Sequence, residues 1–243
     1  VTLHANTEVT TYTISYALNG GAVVEGRNPT SYTVESEEII LINPSREGYN
    51  FVGWTGTGLP VETLEVVISK GSTGDREYSA QWSDSQAPTV SITREDYKTF
   101  SWSATDNEGV TGYAITTSAS TPTSYIEGTS GSYEISEAGT YYVHVVDSEG
   151  NTASASIEAY VLTLNEGKGT SLVVKADGST GSVVESGTGI LTGTVIYAEA
   201  TAMLGYDVVV LKDGSNEVEN PYTVEMGSDK TLESSASLIE YII

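Results

Sequence analysis

Thr11-Tyr12-Thr13-Ile14-Ser15-Tyr16-Ala17-Leu18 sets polar or small residues against apolar ones along its length, then meets Asn19-Gly20-Gly21. A period of two puts alternate side chains on opposite faces of a strand. Asn-Gly is the dipeptide that tight hairpin turns favour, because it tolerates positive φ at both central positions. The stretch predicts a strand, a glycine turn and a return strand at Ala22-Val23-Val24. The same alternation recurs in Tyr49-Asn50-Phe51-Val52-Gly53-Trp54, in Phe100-Ser101-Trp102-Ser103-Ala104 and in Tyr141-Tyr142-Val143-His144-Val145-Val146. No long window carries apolar residues at helical spacing, and Tyr, Val, Ile and Thr suit pleated sheet. The chain is read as all-β.

Composition narrows the function classes. Among 243 residues, 10 are Lys or Arg and 33 are Asp or Glu, a formal charge of -23. Nucleic acid needs clustered cations and is excluded as a partner on that ground; anionic membrane surfaces are disfavoured by the same sign. Cysteine is absent, so disulfides, thiolate metal sites and cysteine nucleophiles are absent too. His4 and His144 are the only histidines. No apolar run approaches the ~20 residues of a membrane span, so no membrane insertion is expected. With neither an initiator Met nor a signal peptide, the sequence reads as part of something larger.

Turn chemistry divides the chain. Ser83-Asp84-Ser85-Gln86-Ala87-Pro88 is short, polar and proline-terminated, as a linker is. Strands at the spacing seen after it, with Asp106-Asn107-Glu108-Gly109 and Asp147-Ser148-Glu149-Gly150-Asn151 between them, predict an immunoglobulin-like sandwich over 84–160. That stretch holds two basic side chains, Arg94 and Lys98, against eleven acidic ones. No linker marks the neighbourhood of Val161, which predicts a taut junction to a third β-rich module over 161–243.

Residues 9–83 resemble the Listeria–Bacteroides repeat, the B-repeat family of internalin B. The resemblance runs from Tyr12-Thr13-Ile14-Ser15-Tyr16 and Asn19-Gly20-Gly21, through Asn28-Pro29-Thr30-Ser31-Tyr32 and Pro44-Ser45-Arg46-Glu47-Gly48-Tyr49-Asn50-Phe51-Val52-Gly53-Trp54, to Lys70-Gly71-Ser72-Thr73-Gly74-Asp75 and Ala80-Gln81-Trp82. It implies a small β-grasp with its helix reduced or missing, in a secreted or wall-attached bacterial protein. Residues 1–8 are read as the remnant of a preceding repeat or as an N-terminal strand, since Leu3-His4-Ala5-Asn6 resembles Tyr78-Ser79-Ala80-Gln81. The middle module is similar to bacterial immunoglobulin-like domains. The third resembles a divergent B-repeat, with Val210-Leu211 where the family has Gly-Trp.

No nucleophile elbow, phosphate loop or HExxH signature occurs, and a non-catalytic chain is expected. No cofactor is expected either, and calcium is the one ion the loops offer ligands for. Asp106, Asn107 and Glu108 in one turn, with Asp147, Glu149 and Asn151 in another, are the hard oxygen donors that Ca²⁺ selects. The same residues are the commonest turn formers, which is the competing reading. Trp54 and Trp82 are weighed as sugar platforms against core, and core is favoured in so small a domain; Trp102 is assigned to the sandwich interior. Lys98 with Asn151 is the one pair considered for an isopeptide staple. The reading is a monomeric, multidomain segment of an extracellular bacterial protein, cell-surface or secreted. Its role is that of an adhesin stalk, spacer or host-contact module, with a host or matrix protein or a glycan as partner. The alternative is a carbohydrate-binding accessory module of a secreted enzyme, for which Tyr113, Tyr141, Tyr142 and Tyr206 are the candidate ligand residues.

Overall fold

A computed structural model describes residues 8–240, so the reading of residues 1–7 lies outside the described residues. The chain is all-β, with no helix among the described residues, and it divides into two compact units, Val1–Gln86 and Ala87–Ile243. The boundary falls in the polar segment around Pro88.

The first unit contains β1 (Thr11–Ala17), β2 (Ser31–Thr33), β3 (Ile39–Ile40), β4 (Tyr49–Gly56), β5 (Leu59–Thr63), β6 (Val67–Ile68) and β7 (Arg76–Asp84). Five of these form one sheet in the order β2-β1-β7-β4-β5, while β3 and β6 make a separate ribbon. Alternation places Ile14, Tyr78, Ala80 and Trp54 on one face, and with Leu41, Val66 and Ile68 from the ribbon they make the core. Trp54 is fully buried and its indole N–H donates to Asn43 Oδ1 at 3.0 Å, so the core assignment holds for this ring. Trp82 is half-buried, edge-on to Phe51 with ring centroids 5.4 Å apart, and donates to the Leu18 carbonyl at 3.0 Å.

The glycine turn forms as expected. Asn19 and Gly20 have φ of 50° and 87°, and Gly21 N–H donates to the Leu18 carbonyl at 3.0 Å. Gly21 is fixed by packing, because a Cβ there would lie 2.3 Å from the Trp82 ring. The return strand at Ala22-Val23-Val24 does not form. β1 pairs with β2 along Thr11–Thr13 and with β7 along Ile14–Ala17, while the returning chain is drawn to a single bridge from Ala22 to Ser45 that leaves Val24 exposed.

The second unit contains β8 (Thr89–Arg94), β9 (Thr99–Thr105), β10 (Val110–Thr116), β11 (Ser130–Glu134), β12 (Gly139–Asp147), β13 (Thr152–Glu166) and β14 (Thr170–Ala176). They are followed by β15 (Thr188–Leu191), β16 (Val195–Ala202), β17 (Tyr206–Asp213), β18 (Asn216–Val218), β19 (Tyr222–Glu225) and β20 (Lys230–Leu238). A large sheet runs β10-β12-β13-β20-β17-β18, with β15 also on β13, and two three-stranded sheets, β11-β9-β8 and β14-β16-β19, complete it. Position 160, where the sequence reading divides two modules, lies inside β13. This strand pairs with β12 through Ala159, with β15 from Ala159 to Leu162, and with β20 from Leu162 to Glu166.

Two cores flank β13. One surrounds Phe100, Trp102, Val143 and Val145; the other surrounds Leu162, Ile190, Ile196, Met226 and Leu232. They interlock. Leu191 on β15 is fully buried in the first core, while Tyr97, between β8 and β9, packs against the second. Leu191 N–H donates to the Tyr97 carbonyl at 2.8 Å, and Arg94 pairs with Asp177 at 3.0 Å. Gly189 passes so close that a Cβ would lie 2.5 Å from the Glu137 backbone.

Candidate functional site

Two features stand out as candidates, a pair of acidic turns and the pairing of terminal strands. In the β9–β10 turn, Asp106 Oδ2 accepts the Glu108 N–H at 2.9 Å. In the β12–β13 turn, Asp147 is buried, accepting the Asn151 N–H at 2.8 Å and the Asn151 amide at 2.7 Å. Such bonds are the local reason that Asp and Asn form turns. Strand pairing of β10 with β12 then sets the two turns side by side, with carboxylate oxygens of Asp106 and Asp147 within 4.8 Å of one another. Asp106 Oδ1 is buried with no hydrogen-bond partner. Asn107, Glu108 and Glu149 are exposed, Glu149 accepting from Ser148, and Asn151 serves as the partner of Asp147. Of the six residues named from sequence, the fold thus brings two carboxylates together. Paired hard oxygens at this range suit a divalent cation such as calcium.

The four tyrosines share no surface. Tyr141 is buried, its ring 6.4 Å from Phe100 and its hydroxyl donating to the Glu137 carbonyl at 2.9 Å, which corrects its reading as an exposed ligand residue. Tyr142, one residue on, faces the other way and lies 6.0 Å from the His144 ring. Tyr113 packs on Trp102 at 4.5 Å, and Trp102 is itself buried, as its phase predicts. Tyr206 sits against Gly169, in the other half of the unit. His144 is a buried histidine satisfied by Ser118 O and Thr116 Oγ1. Lys98 pairs with Glu134 and not with Asn151, so the staple has no reactants in contact.

What the sequence reading missed is which strands become neighbours. Among the described residues of the first unit the first strand and the last are parallel and adjacent, Ile14 opposite Arg76 and Ala17 opposite Ser79. Asp75 extends the pairing. Its carboxylate accepts the Thr13 N–H at 2.7 Å, and that bond holds the carboxyl below its ordinary range. Tyr32 braces the same end, donating to the Gly74 carbonyl at 2.6 Å and accepting from Arg76 Nε at 3.0 Å. In the second unit β13 and β20 are likewise parallel, Leu162 opposite Lys230 and Glu166 opposite Ser234. Lys230 on β20 and Tyr222 both donate to Asp213 Oδ2 at 3.1 Å, tying β20 to β17 and β19; burial, then the bond to Asp213, raises the Tyr222 pKa. The only sequence trace of these pairings is alternation in the strands themselves.

Among the described residues no helix is long and apolar enough to cross a membrane. Residues 12–59 match the family model of the Listeria–Bacteroides repeat domain. No curated protein and no solved structure matches the chain. The matched repeat is typical of bacterial surface and secreted proteins, and a segment of such a protein is what the sequence of the first unit is consistent with.

Proposed function

We propose that the chain is a non-catalytic, load-bearing spacer in the extracellular part of a bacterial surface protein. The observation that carries this reading is the parallel pairing of the first and last strands of the first unit. In a parallel pair, the start of one strand and the end of the other lie at opposite ends. Tension applied through the chain therefore pulls the strands past each other and loads their hydrogen bonds together. In an antiparallel hairpin the same pull would open the bonds one at a time. The pairing of β13 with β20 offers the same resistance at the far end of the second unit, and β13 ties its two cores together. On this reading residues 84–160 are an immunoglobulin-like module and 161–243 a divergent relative of the repeat, supported by the sequence patterns and by the shared parallel pair.

A spacer needs no ligand pocket, whereas the rival, a carbohydrate-binding module, needs aromatic rings on one surface. Tyr113, Tyr141, Tyr142 and Tyr206 offer none in common. The chain is expected to stay silent on a panel of glycans, mucin and matrix proteins, with calcium and without it. Reproducible binding to one class would overturn the spacer reading in favour of recognition.

A second reading concerns Asp106 and Asp147. Their proximity, with Asp106 Oδ1 unpartnered, favours a calcium ion that stiffens this end of the module. Calcium at millimolar concentration should raise the melting temperature of the second unit, and Asp106→Asn with Asp147→Asn should abolish the increment. Equal midpoints in calcium and EDTA would sink this reading and leave the spacer untouched.

A further inference from the structure

The connection from β10 to β11 spans residues 117–129, the longest in the second unit without a named strand. Connections of this length inside compact domains are uncommon, and are either functional or linker-like. Its first part reads Thr117-Ser118-Ala119-Ser120-Thr121-Pro122-Thr123-Ser124: six hydroxyl residues, one proline and one alanine. No charged side chain occurs between Glu108 and Glu127, in a chain of formal charge -23. Thr117, Ser118, Ser120, Thr121, Thr123 and Ser124 are all exposed.

Both ends of the arch are pinned. At one end His144 Nε2 donates to the Ser118 carbonyl at 3.0 Å, and Thr116 Oγ1 donates to the same carbonyl at 2.8 Å. At the other, Tyr113 and Ile126 exchange backbone hydrogen bonds of 2.8 Å. Ser118 Oγ accepts the Ser120 N–H at 3.2 Å. Among the described residues no protein group holds the hydroxyls of Ser120, Thr121, Thr123 or Ser124. The sheet hydroxyls differ: Thr89 pairs with Thr105 at 2.9 Å, and Ser91 with Ser103 at 3.0 Å. The loop therefore presents unengaged hydroxyls on small, uncharged, proline-punctuated backbone, the composition of O-glycosylated stalks.

We infer that the arch 117–124 is an acceptor site for O-linked sugar, with Ser120, Thr121, Thr123 and Ser124 as the acceptor hydroxyls. The side-chain oxygen attacks the anomeric carbon of a sugar carried on a nucleotide or lipid phosphate. The bond from that carbon to the phosphate oxygen breaks, the phosphate leaves with the electron pair, and the hydroxyl proton passes to a base of the transferase. The inference rests on the surface reading, in which the arch belongs to an exposed stalk.

The chain isolated from the cells that make it is digested and mapped by mass spectrometry. The peptide containing 117–124 is expected above its sequence mass by whole sugar residues that alkaline β-elimination releases. Ser120→Ala, Thr121→Ala, Thr123→Ala and Ser124→Ala together should return it to sequence mass with the melting temperature unchanged, since the Thr116–Ser118–His144 anchor is kept. An unmodified peptide in the wild-type chain overturns the inference. Protease accessibility on intact cells reads the surface location separately, so either idea can fail without the other.

Discussion

The first unit closes on itself, whereas the second is two cores that share a strand. In the first, β1 lies against β7 and one aromatic core around Trp54 is completed within 86 residues. In the second, the entering strand β8 bonds only to β9, and each core borrows a side chain from across the junction, Leu191 in one direction and Tyr97 in the other. The difference follows from the sequence between modules. A polar, proline-terminated segment separates cores, while an unbroken alternating strand makes them interlock. The first unit should therefore melt independently, and the second as one cooperative transition despite its two cores.

The largest effects come from emptying those cores. Trp54→Ala should cost the first unit about 3–5 kcal/mol, enough to unfold a small domain, and leave the second unit's transition in place. Leu191→Ala should cost about 2–5 kcal/mol and lower the whole second unit in a single calorimetric transition. A split of that transition into two, one unmoved, would break the comparison by showing that the cores are independent. Gly189→Ala sharpens it. The added methyl meets Glu137 and Ala138 backbone, which cannot swing away as a side chain would. Overpacking of this kind costs about 1–3 kcal/mol, read as a lower denaturation midpoint of the second unit alone.

These effects were not equally legible beforehand. Strands such as β1, β4, β9 and β12 follow from period-two alternation, because one buried face imposes it. The same period places Tyr141 in phase with Val143 and Val145, so its burial is readable from that run. Asp106 and Asp147 follow from turn chemistry, although their approach depends on β10 finding β12, which no local pattern encodes. The failed return strand at Ala22-Val24 has the same cause. Which strands flank β1 is decided by residues 31–33 and 76–79, remote in sequence, and parallel pairing leaves no turn signature between partners. The continuity of β13 was visible as a missing linker at Val161, but not the exchange of Leu191 and Tyr97 across it.

A smaller effect distinguishes the first unit by pH. Burial, and next the neighbouring Tyr78, raise the Tyr16 pKa to about 12, and its hydroxyl donates to the Pro29 carbonyl at 2.8 Å. The folded state then holds this proton more tightly than the unfolded chain, whose tyrosine titrates near 10. The contribution is whole below about pH 10 and is lost as pH rises toward 12. Tyr16→Phe should flatten that part of the first unit's stability profile and leave the second unit's alone. An unchanged slope would mean that other groups carry it.

The central claim is that parallel terminal strands bear load, and pulling geometry tests it directly. Because the chain has no cysteine, handles can be placed singly. Thr10→Cys with Ser85→Cys pulls β1 and β7 past each other, whereas Thr10→Cys with Thr73→Cys grips the same end of both strands and peels them apart. Single-molecule force spectroscopy on the first geometry should show a sharp unfolding event several-fold stronger than the second. Its extension should be about 26 nm of contour, from roughly 74 residues at about 3.5 Å each, less the folded separation of the two handles. Equal, low forces in the two geometries would contradict the load-bearing account.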